Sequence, residues 1–488
     1  MLLKYTRTFY ALLFISGLTT ICLSCNSSAN DVDSATRGSN TSASNEIFEL
    51  NFQIKGLAAG HYYLTGMYGG QFYTIDSFAI ENNGQALIHR PALLPQGMYY
   101  VVLPDRYTSI QFIVTDEQKF SMTSDVNNLV GNMVVKNCEE TFLLYHNLKF
   151  EQKYRGEYEA LKQKINSTPR GSREAAILEV ERQEKIDERI AQIQKDAAEH
   201  PDAFFTTFKL AGQNPRIKAQ KLPNGEDDNA RIVTLYRQQY WDAVDFSDGR
   251  LLRTPVYTNK LRSFFENIVP QHIDSLVKYA EIVTNASMQN DSLFKFTANY
   301  VGMKYQSPTF MGSDAVYVYM VENYFTHERA FWAKSHEIDR LQLDASIRHS
   351  SMLGEKAKDL EVIAPDGKMI SLLDSDAELL VLYIYTPNCE NCQKETPLVK
   401  KAYDAWKSRG VEVFALCTDP DEKLWKNYID QNDLDWTNAF DPMIESEYTF
   451  KYHIDITPEI YVLDRNRIIV ARDLHAFQLD EILGRHIR

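Results

Sequence analysis

The 488-residue sequence predicts a multidomain chain with three structural classes in series: an N-terminal antiparallel β-sandwich, a central all-α domain and a C-terminal α/β domain. Three observations carry that reading. Residues 47–137 alternate apolar and polar positions in short runs, the period of strands with one buried face. Residues 138–350 change to Glu-, Lys-, Gln- and Ala-rich stretches with apolar side chains three and four apart, the period of a helix face. Residues 351–488 alternate short apolar runs with helical segments, the order of an α/β domain. A chain of this length exceeds one ordinary domain and has enough apolar residues for several cores.

The first residues read as an export signal. Lys4 and Arg7 form a short positive region, and Phe9 to Leu23 form an apolar stretch too short for a comfortable membrane span. It closes at Leu23-Ser24-Cys25, which resembles a bacterial lipoprotein box. That resemblance implies that residues 1–24 are a signal peptide and that Cys25 is lipidated; the alternatives are an uncleaved anchor or an ordinary secretory signal. Residues 25–46 are rich in Ser, Asn and Thr and nearly devoid of apolar side chains, so they predict a flexible tether. The expected location is the cell envelope, with the protein lipid-anchored, facing the periplasm and touching the membrane through that lipid only.

Charge and cysteine usage narrow the function. With 52 Lys and Arg against 66 Asp and Glu the formal net charge is −14, and no Lys/Arg-rich block interrupts it. This balance excludes nucleic acid as an expected partner, since such binding needs clustered positive charge. Beyond Cys25 only Cys138, Cys389, Cys392 and Cys417 remain, too few for a disulfide scaffold. Cys138, at a domain junction, and Cys417, at the end of an apolar run, read as packing residues.

In 47–137 the runs Phe48-Leu50-Phe52-Ile54, Tyr73-Ile75, Tyr99-Val101-Leu103 and Ile110-Phe112-Val114 are strands, and Asn83-Gly84 is a hairpin signal. Tyr62, Tyr63, Tyr68, Tyr73, Tyr99 and Tyr100 could line a binding face, but sheet packing is the simpler account. The helical stretch has no fixed repeat, and its charge run at 176–196 reads as a solvated helix face. His327-Glu328 and His336-Glu337 lack a second histidine four residues after the first, which excludes a zinc-protease helix, and no Gly-rich phosphate loop is present. No metal and no cofactor are expected.

The α/β region carries the chemistry. An apolar run, Leu379 to Tyr385, reads as a buried strand, and Leu398, Ala402 and Trp406, four apart, mark a following helix. Between them stands Cys389-Glu390-Asn391-Cys392. Two sulfurs at a helix N-terminus meet unpaired N–H groups and the helix dipole, which favour the thiolate that attacks disulfides. A stabilising disulfide or half a zinc site are the alternatives, but no further Cys or His ligands stand nearby. Turns at Pro365-Asp366-Gly367 and Asp464-Arg465-Asn466, strands at Val411–Leu416, Glu459–Leu463 and Ile468–Val470, and a last helix from Leu479 to His486 complete an α/β thioredoxin topology.

Residues 351–488 resemble the TlpA/ResA-like thioredoxins, exported thiol-disulfide oxidoreductases usually tethered to a membrane. The resemblance rests on Cys389-Glu390-Asn391-Cys392-Gln393-Lys394-Glu395-Thr396-Pro397 and on Ile456-Thr457-Pro458 followed by Glu459-Ile460-Tyr461. It implies that Pro397 kinks the active-site helix and that Pro458 is the cis-proline facing the cysteines. The whole order also resembles Bacteroides-type lipoproteins with an N-terminal β-domain, a helical middle and a thioredoxin end. Asn388 stands where relatives usually carry Trp, and Tyr383 where thioredoxin has a buried proton-moving aspartate. Glu395, matching a glutamate one turn after the second cysteine, is the candidate replacement; the alternative is an exposed helix glutamate.

These readings give a membrane-tethered thiol-disulfide oxidoreductase, a reductant of exported proteins. Cys389 attacks the substrate disulfide, and Cys392 resolves the mixed disulfide. Glu390 and Asn391 tune the couple, a carboxylate between the sulfurs opposing the thiolate. Thr457 presents its backbone to an extended substrate segment. The expected partners are a disulfide-bearing exported protein or small thiol and an upstream redox partner. The alternative is a partner-binding lipoprotein in which the thioredoxin-like domain has a secondary role.

Overall fold

The computed structural model describes residues 47–103 and 108–487. The expected signal peptide, the tether and Cys25 lie outside the described residues. The chain forms two compact units that divide between Leu261 and Arg262.

The first unit holds β1 (Phe48–Lys55), β2 (Gly60–Tyr68), β3 (Gln71–Ile80), β4 (Gln85–Arg90), β5 (Gly97–Val102), β6 (Ser109–Val114), β7 (Lys119–Asp125) and β8 (Val134–Lys136). The helices α1 (Glu139–Ser167), α2 (Arg173–Glu199), α3 (Phe204–Ala211), α4 (Asn229–Gln239) and α5 (Pro255–Ser263) follow, the division falling inside α5. The strands make two four-stranded sheets, β4-β1-β7-β8 and β3-β2-β5-β6. Period-two alternation sends Phe48, Leu50, Phe52 and Ile54 of one sheet and Leu64, Val101, Ile110 and Phe112 of the other into one core.

Two expectations need correction. Pairing is not purely antiparallel: β1 and β7 run parallel, with Leu50 opposite Phe120. The chain visits the other sheet between them, and that long excursion lets it return in the same direction. Asn83-Gly84 is a tight turn but not a hairpin, because β3 and β4 belong to different sheets. Glycine is required there: φ is +73°, and a Cβ would lie 1.9 Å from the Ile54 carbonyl oxygen. The hairpin is at Gly69-Gly70, both at positive φ, between β2 and β3. Of the tyrosines, Tyr62, Tyr99 and Tyr100 are buried, while Tyr63, Tyr68 and Tyr73 are partly exposed.

The stretch 138–350, expected as one all-α domain, is shared between the units. In α2 only Leu178, Ile193 and Asp196 are buried, and Lys185 and Arg189 reach Glu157 and Glu151 of α1 at 2.7 and 2.8 Å, which leaves the charge run on a solvated face.

The second unit begins with α6 (Ile273–Ser287), α7 (Asp291–Gln306), α8 (Ala315–Tyr324) and α9 (Ser335–His349). Next come β9 (Glu361–Ile363), β10 (Met369–Ser371), β11 (Leu379–Tyr385), α10 (Glu390–Trp406), β12 (Val411–Cys417), α11 (Glu422–Asn432), β13 (Thr437–Phe440), α12 (Tyr448–Lys451), β14 (Glu459–Asp464), β15 (Ile469–Ala471) and α13 (Leu479–His486). They build one seven-stranded sheet, β10-β9-β13-β12-β11-β14-β15, in which β11, β12 and β13 are parallel and β14 is antiparallel to β11. Every residue of β11 is buried because both faces of the sheet are covered. Tyr383 and Tyr385 face α10, with Cys392 and Val399; Leu382 and Ile384 face the opposite core, with Leu416 and Tyr461.

Candidate active site

The site stands where the centre of the sheet ends. After Tyr385 the chain turns, the Cys389 N–H donating to the Thr386 carbonyl at 3.0 Å, and α10 begins at Glu390. Cys389 is the residue before the helix, and its Sγ accepts from the Cys392 N–H at 3.5 Å, a capping role usually held by an oxygen. Two other loops converge here. Thr386 Oγ1 lies 3.0 Å from Thr418 Oγ1, just past β12, and 3.4 Å from Thr457 Oγ1, just before β14. The Thr457–Pro458 peptide bond is cis, and the Cys389 thiol donates to the Thr457 carbonyl oxygen at 3.4 Å. Cys389, Cys392, Thr457 and Pro458 are thus brought together from opposite ends of the domain.

The two thiols differ. Burial pushes the Cys389 thiol up, but the N–H of Cys392, the Cys392 thiol, the N–H of Asn391 and the Thr457 hydroxyl outweigh it, and the net shift is downward. Cys392 is fully buried, and that burial pushes it up to about 12 against smaller opposing bonds from Thr386 and Thr457. Cys389 is partly exposed. Cys417, buried in β12, is also raised to about 12 by burial, and Cys138 is a buried residue in the core of the first unit.

The carboxylates lie elsewhere. Glu390 points to solvent, 82% exposed, and pairs with Lys394 Nζ at 2.6 Å, so its charge is screened from the sulfurs. Glu395 accepts from the Ala476 N–H at 2.5 Å and lies 3.4 Å from His475 Nδ1, which turns it toward the loop before α13. The side chain beneath Cys392 belongs to its neighbour. Thr396, fully buried, donates to the Cys392 carbonyl at 2.8 Å and meets the hydroxyls of Tyr383 at 2.7 Å and Tyr428 at 2.9 Å. Pro397 lies inside α10. Sequence reasoning missed Thr386, Thr396, Thr418 and Tyr428; only Thr396, four residues after Cys392 and so on the same helix face, had a visible signal.

Among the described residues no group of three or more His, Cys, Asp or Glu is placed to hold a metal ion, and no helix is long and apolar enough to cross a membrane.

Residues 353–472 match the model of the AhpC/TSA family. The chain is 28% identical over 125 residues to the thiol-disulfide oxidoreductase ResA of Bacillus cereus, covering 26% of this chain and 71% of that one. To the ResA of Bacillus thuringiensis it is 26% identical over 136 residues, covering 28% and 77%. Among solved structures it is similar to the thioredoxin domain of a thiol-disulfide oxidoreductase from Bacteroides vulgatus, at 26% identity and a TM-score of 0.27, covering 28% of this chain and 98% of that one. The ResA relatives are thiol-disulfide oxidoreductases, and with the cysteine site they support thiol-disulfide oxidoreductase activity for the C-terminal domain. The likeness to ResA lies in the C-terminal domain.

Proposed function

We propose that this chain is a membrane-tethered reductase of disulfides in exported proteins, working through Cys389 and Cys392. The observation that carries the proposal is the asymmetry of the two thiols: one partly exposed and lowered at a helix N-terminus, the other fully buried and raised. Cys389 attacks as thiolate and forms a mixed disulfide; Cys392 then attacks Cys389, and the partner leaves reduced. The lowered Cys389 thiol stabilises the dithiol form, while the raised Cys392 thiol stays protonated near neutral pH and adds nothing to it; the redox potential of the couple measures the direction of net electron transfer. Thr457 and cis-Pro458 offer backbone to an extended segment of the partner. The apolar stretch ending at Cys25 supports lipid anchoring in the cell envelope with this domain facing the periplasm.

The test is covalent trapping. Cys392→Ser should leave exported proteins attached at Cys389, seen as bands on non-reducing gels and identified by mass spectrometry, whereas Cys389→Ser should trap few. Equal trapping by both variants would overturn the assignment of nucleophile and resolver. Trapping by neither would shift weight to a partner-binding lipoprotein, a reading favoured by Tyr63, Tyr68, Phe72 and Tyr73, which are partly exposed on β2 and β3.

A further inference from the structure

α10 has a weak point just past the dithiol. Pro397 has no N–H, so the bond that would close on the Gln393 carbonyl is absent, and the ring crowds that carbonyl. The turn carrying Cys392 therefore lacks one of the backbone bonds that would tie it to the rest of the helix. A resolving cysteine cannot tolerate looseness, because its sulfur must reach the mixed disulfide in line.

Three hydroxyls meet at this point from three elements. Thr396 Oγ1 donates to the Cys392 carbonyl at 2.8 Å. Having given its only hydrogen there, it can only accept from its neighbours. Tyr383 of β11 and Tyr428 of α11 are both phenols, and both are 2.9 Å or less from that oxygen. One consistent set of directions has both phenols donating to Thr396 and Thr396 donating to Cys392, and the Tyr383 hydroxyl also lies 3.4 Å from the Cys392 carbonyl oxygen. Thr396 and Tyr383 are fully buried and Tyr428 is 8% exposed, so water does not compete. Burial also holds the Tyr383 phenol far above its ordinary range, which keeps the cluster neutral. The residues packed around it in the same core include Tyr385, Cys417, Trp425 and Trp436, none of them charged. Cys389, one turn earlier, receives none of these bonds.

We propose that Thr396, held by Tyr383 and Tyr428, is the positioning residue of the resolving cysteine: on the N-terminal side of Pro397 the three hydroxyls fix the turn that carries Cys392 to β11 and α11. This rests on the dithiol reading above and deepens it. In the resolving step the Cys392 S–H bond breaks, a Cys389–Cys392 disulfide forms and the bond from Cys389 to the partner sulfur breaks. The partner sulfur leaves with the electron pair, and the proton passes to it or, where it is too weak a base, to water. The dithiol is oxidised by two electrons and the partner disulfide reduced by two. No side chain of the cluster gains or loses a proton.

A symmetric aromatic disulfide that yields a coloured thiolate separates the two steps in a single-turnover experiment. One thiolate is released when Cys389 attacks and a second when Cys392 resolves. In Thr396→Val the first release should keep its wild-type rate and the second should slow by ~10-fold, the effect of one lost buried hydrogen bond. Thr396→Ser, which restores the hydroxyl, should recover the second rate. Tyr383→Phe should slow the same step, and its effect should not add fully to that of Thr396→Val. The pH profile of the second step should keep its wild-type shape in each variant, because the clamp is neutral. A second release unchanged in Thr396→Val, a first release slowed equally, or failure of Thr396→Ser to rescue would each overturn the proposal. Absence of the first release in the wild-type protein would instead overturn the dithiol reading, and the clamp with it.

Discussion

Removing one side of the ion pair between Asp314 and Arg472 should loosen the sheet that holds the dithiol. Asp314 immediately precedes α8 and Arg472 immediately follows β15, so the pair joins the helical segment to the thioredoxin-like domain within the second unit. Arg472 Nη2 donates to Asp314 Oδ2 at 2.5 Å, Nη1 to the Ser351 carbonyl at 3.1 Å and Nε to Asp473 at 2.9 Å. The side chains of Arg472 and Asp314 are 3% and 1% exposed, so either charge, left alone, has no water to recover. Breaking a buried pair on one side costs ~3–5 kcal/mol. Asp314→Ala belongs at the lower end, because Arg472 keeps Asp473 and Ser351. Arg472→Met belongs at the upper end, because Asp314 keeps no counter-ion and its Oδ1 already has no partner. The assay is thiol labelling of Cys417, fully buried in the sheet, in the full chain under mild denaturant, read by peptide mass spectrometry. At about 1.4 kcal/mol per tenfold, Cys417 should label roughly 100- to 4,000-fold faster in the single variants. Arg472→Met combined with Asp314→Leu should recover much of the loss, since no fully buried charge is left unpaired; Asp473, which loses Arg472, is 34% exposed and reaches water. A change below tenfold in both single variants, or a double variant worse than either single one, would refute the reasoning.

Two further perturbations separate charge from redox tuning. Glu390→Gln should move the dithiol potential by less than the ~30 mV that corresponds to 1.4 kcal/mol for a two-electron couple, because the carboxylate is exposed and held by Lys394; a glutathione titration measures it, and a larger positive shift would show that the charge does reach Cys389. The Glu459 carboxyl is raised to about 8, by burial first and by the Asp473 charge second. Its contribution to stability is complete below the unfolded glutamate value and is lost as pH rises through about 8, so Glu459→Gln should be the more stable protein at pH 9, by roughly 2–4 kcal/mol, and should converge on wild type near pH 4. Denaturant midpoints across that range check it, and parallel curves would sink it.

Legibility in the sequence follows how local the cause is. The ends of β11 are visible because a strand buried on both faces needs an unbroken apolar run, and Leu379 to Tyr385 is one. β13 is not visible: Thr437–Phe440 is four residues without alternation, and it is a strand because β12 and β9 flank it. Gly84 carries the residue type of a turn, but which sheet the next strand joins is decided by β1, nearly thirty residues earlier. The site divides in the same way. Cys389, Cys392 and Pro458 announce themselves by spacing, whereas the partner of Glu395 lies in the loop at Ala476, eighty-one residues on. Tyr428 joins Thr396 from α11, a helix whose role at the site no local pattern reveals.

The arrangement of polar groups about the sheet argues that stability and redox chemistry are handled on opposite faces. Glu459 pairs with Ile384, whose side chain lies in the core away from α10, and strand alternation puts the Glu459 carboxyl on that same side. The charges of Arg472, Asp473 and Asp314 belong to the same neighbourhood, as the forces acting on the Glu459 carboxyl and the pairing of Arg472 indicate. Toward α10 the sheet offers Tyr383 and Tyr385, and the polar groups gathered below Cys392 are the hydroxyls of Tyr383, Thr396 and Tyr428. A charge on the dithiol face would shift the thiols directly, since the interior screens poorly. On the far face it acts on folding instead. Glu459→Gln should therefore change the pH dependence of stability while the pH profile of Cys389 alkylation stays at its wild-type position. A displaced alkylation profile in that variant would show that the sheet does not insulate the dithiol from the ionic cluster behind it.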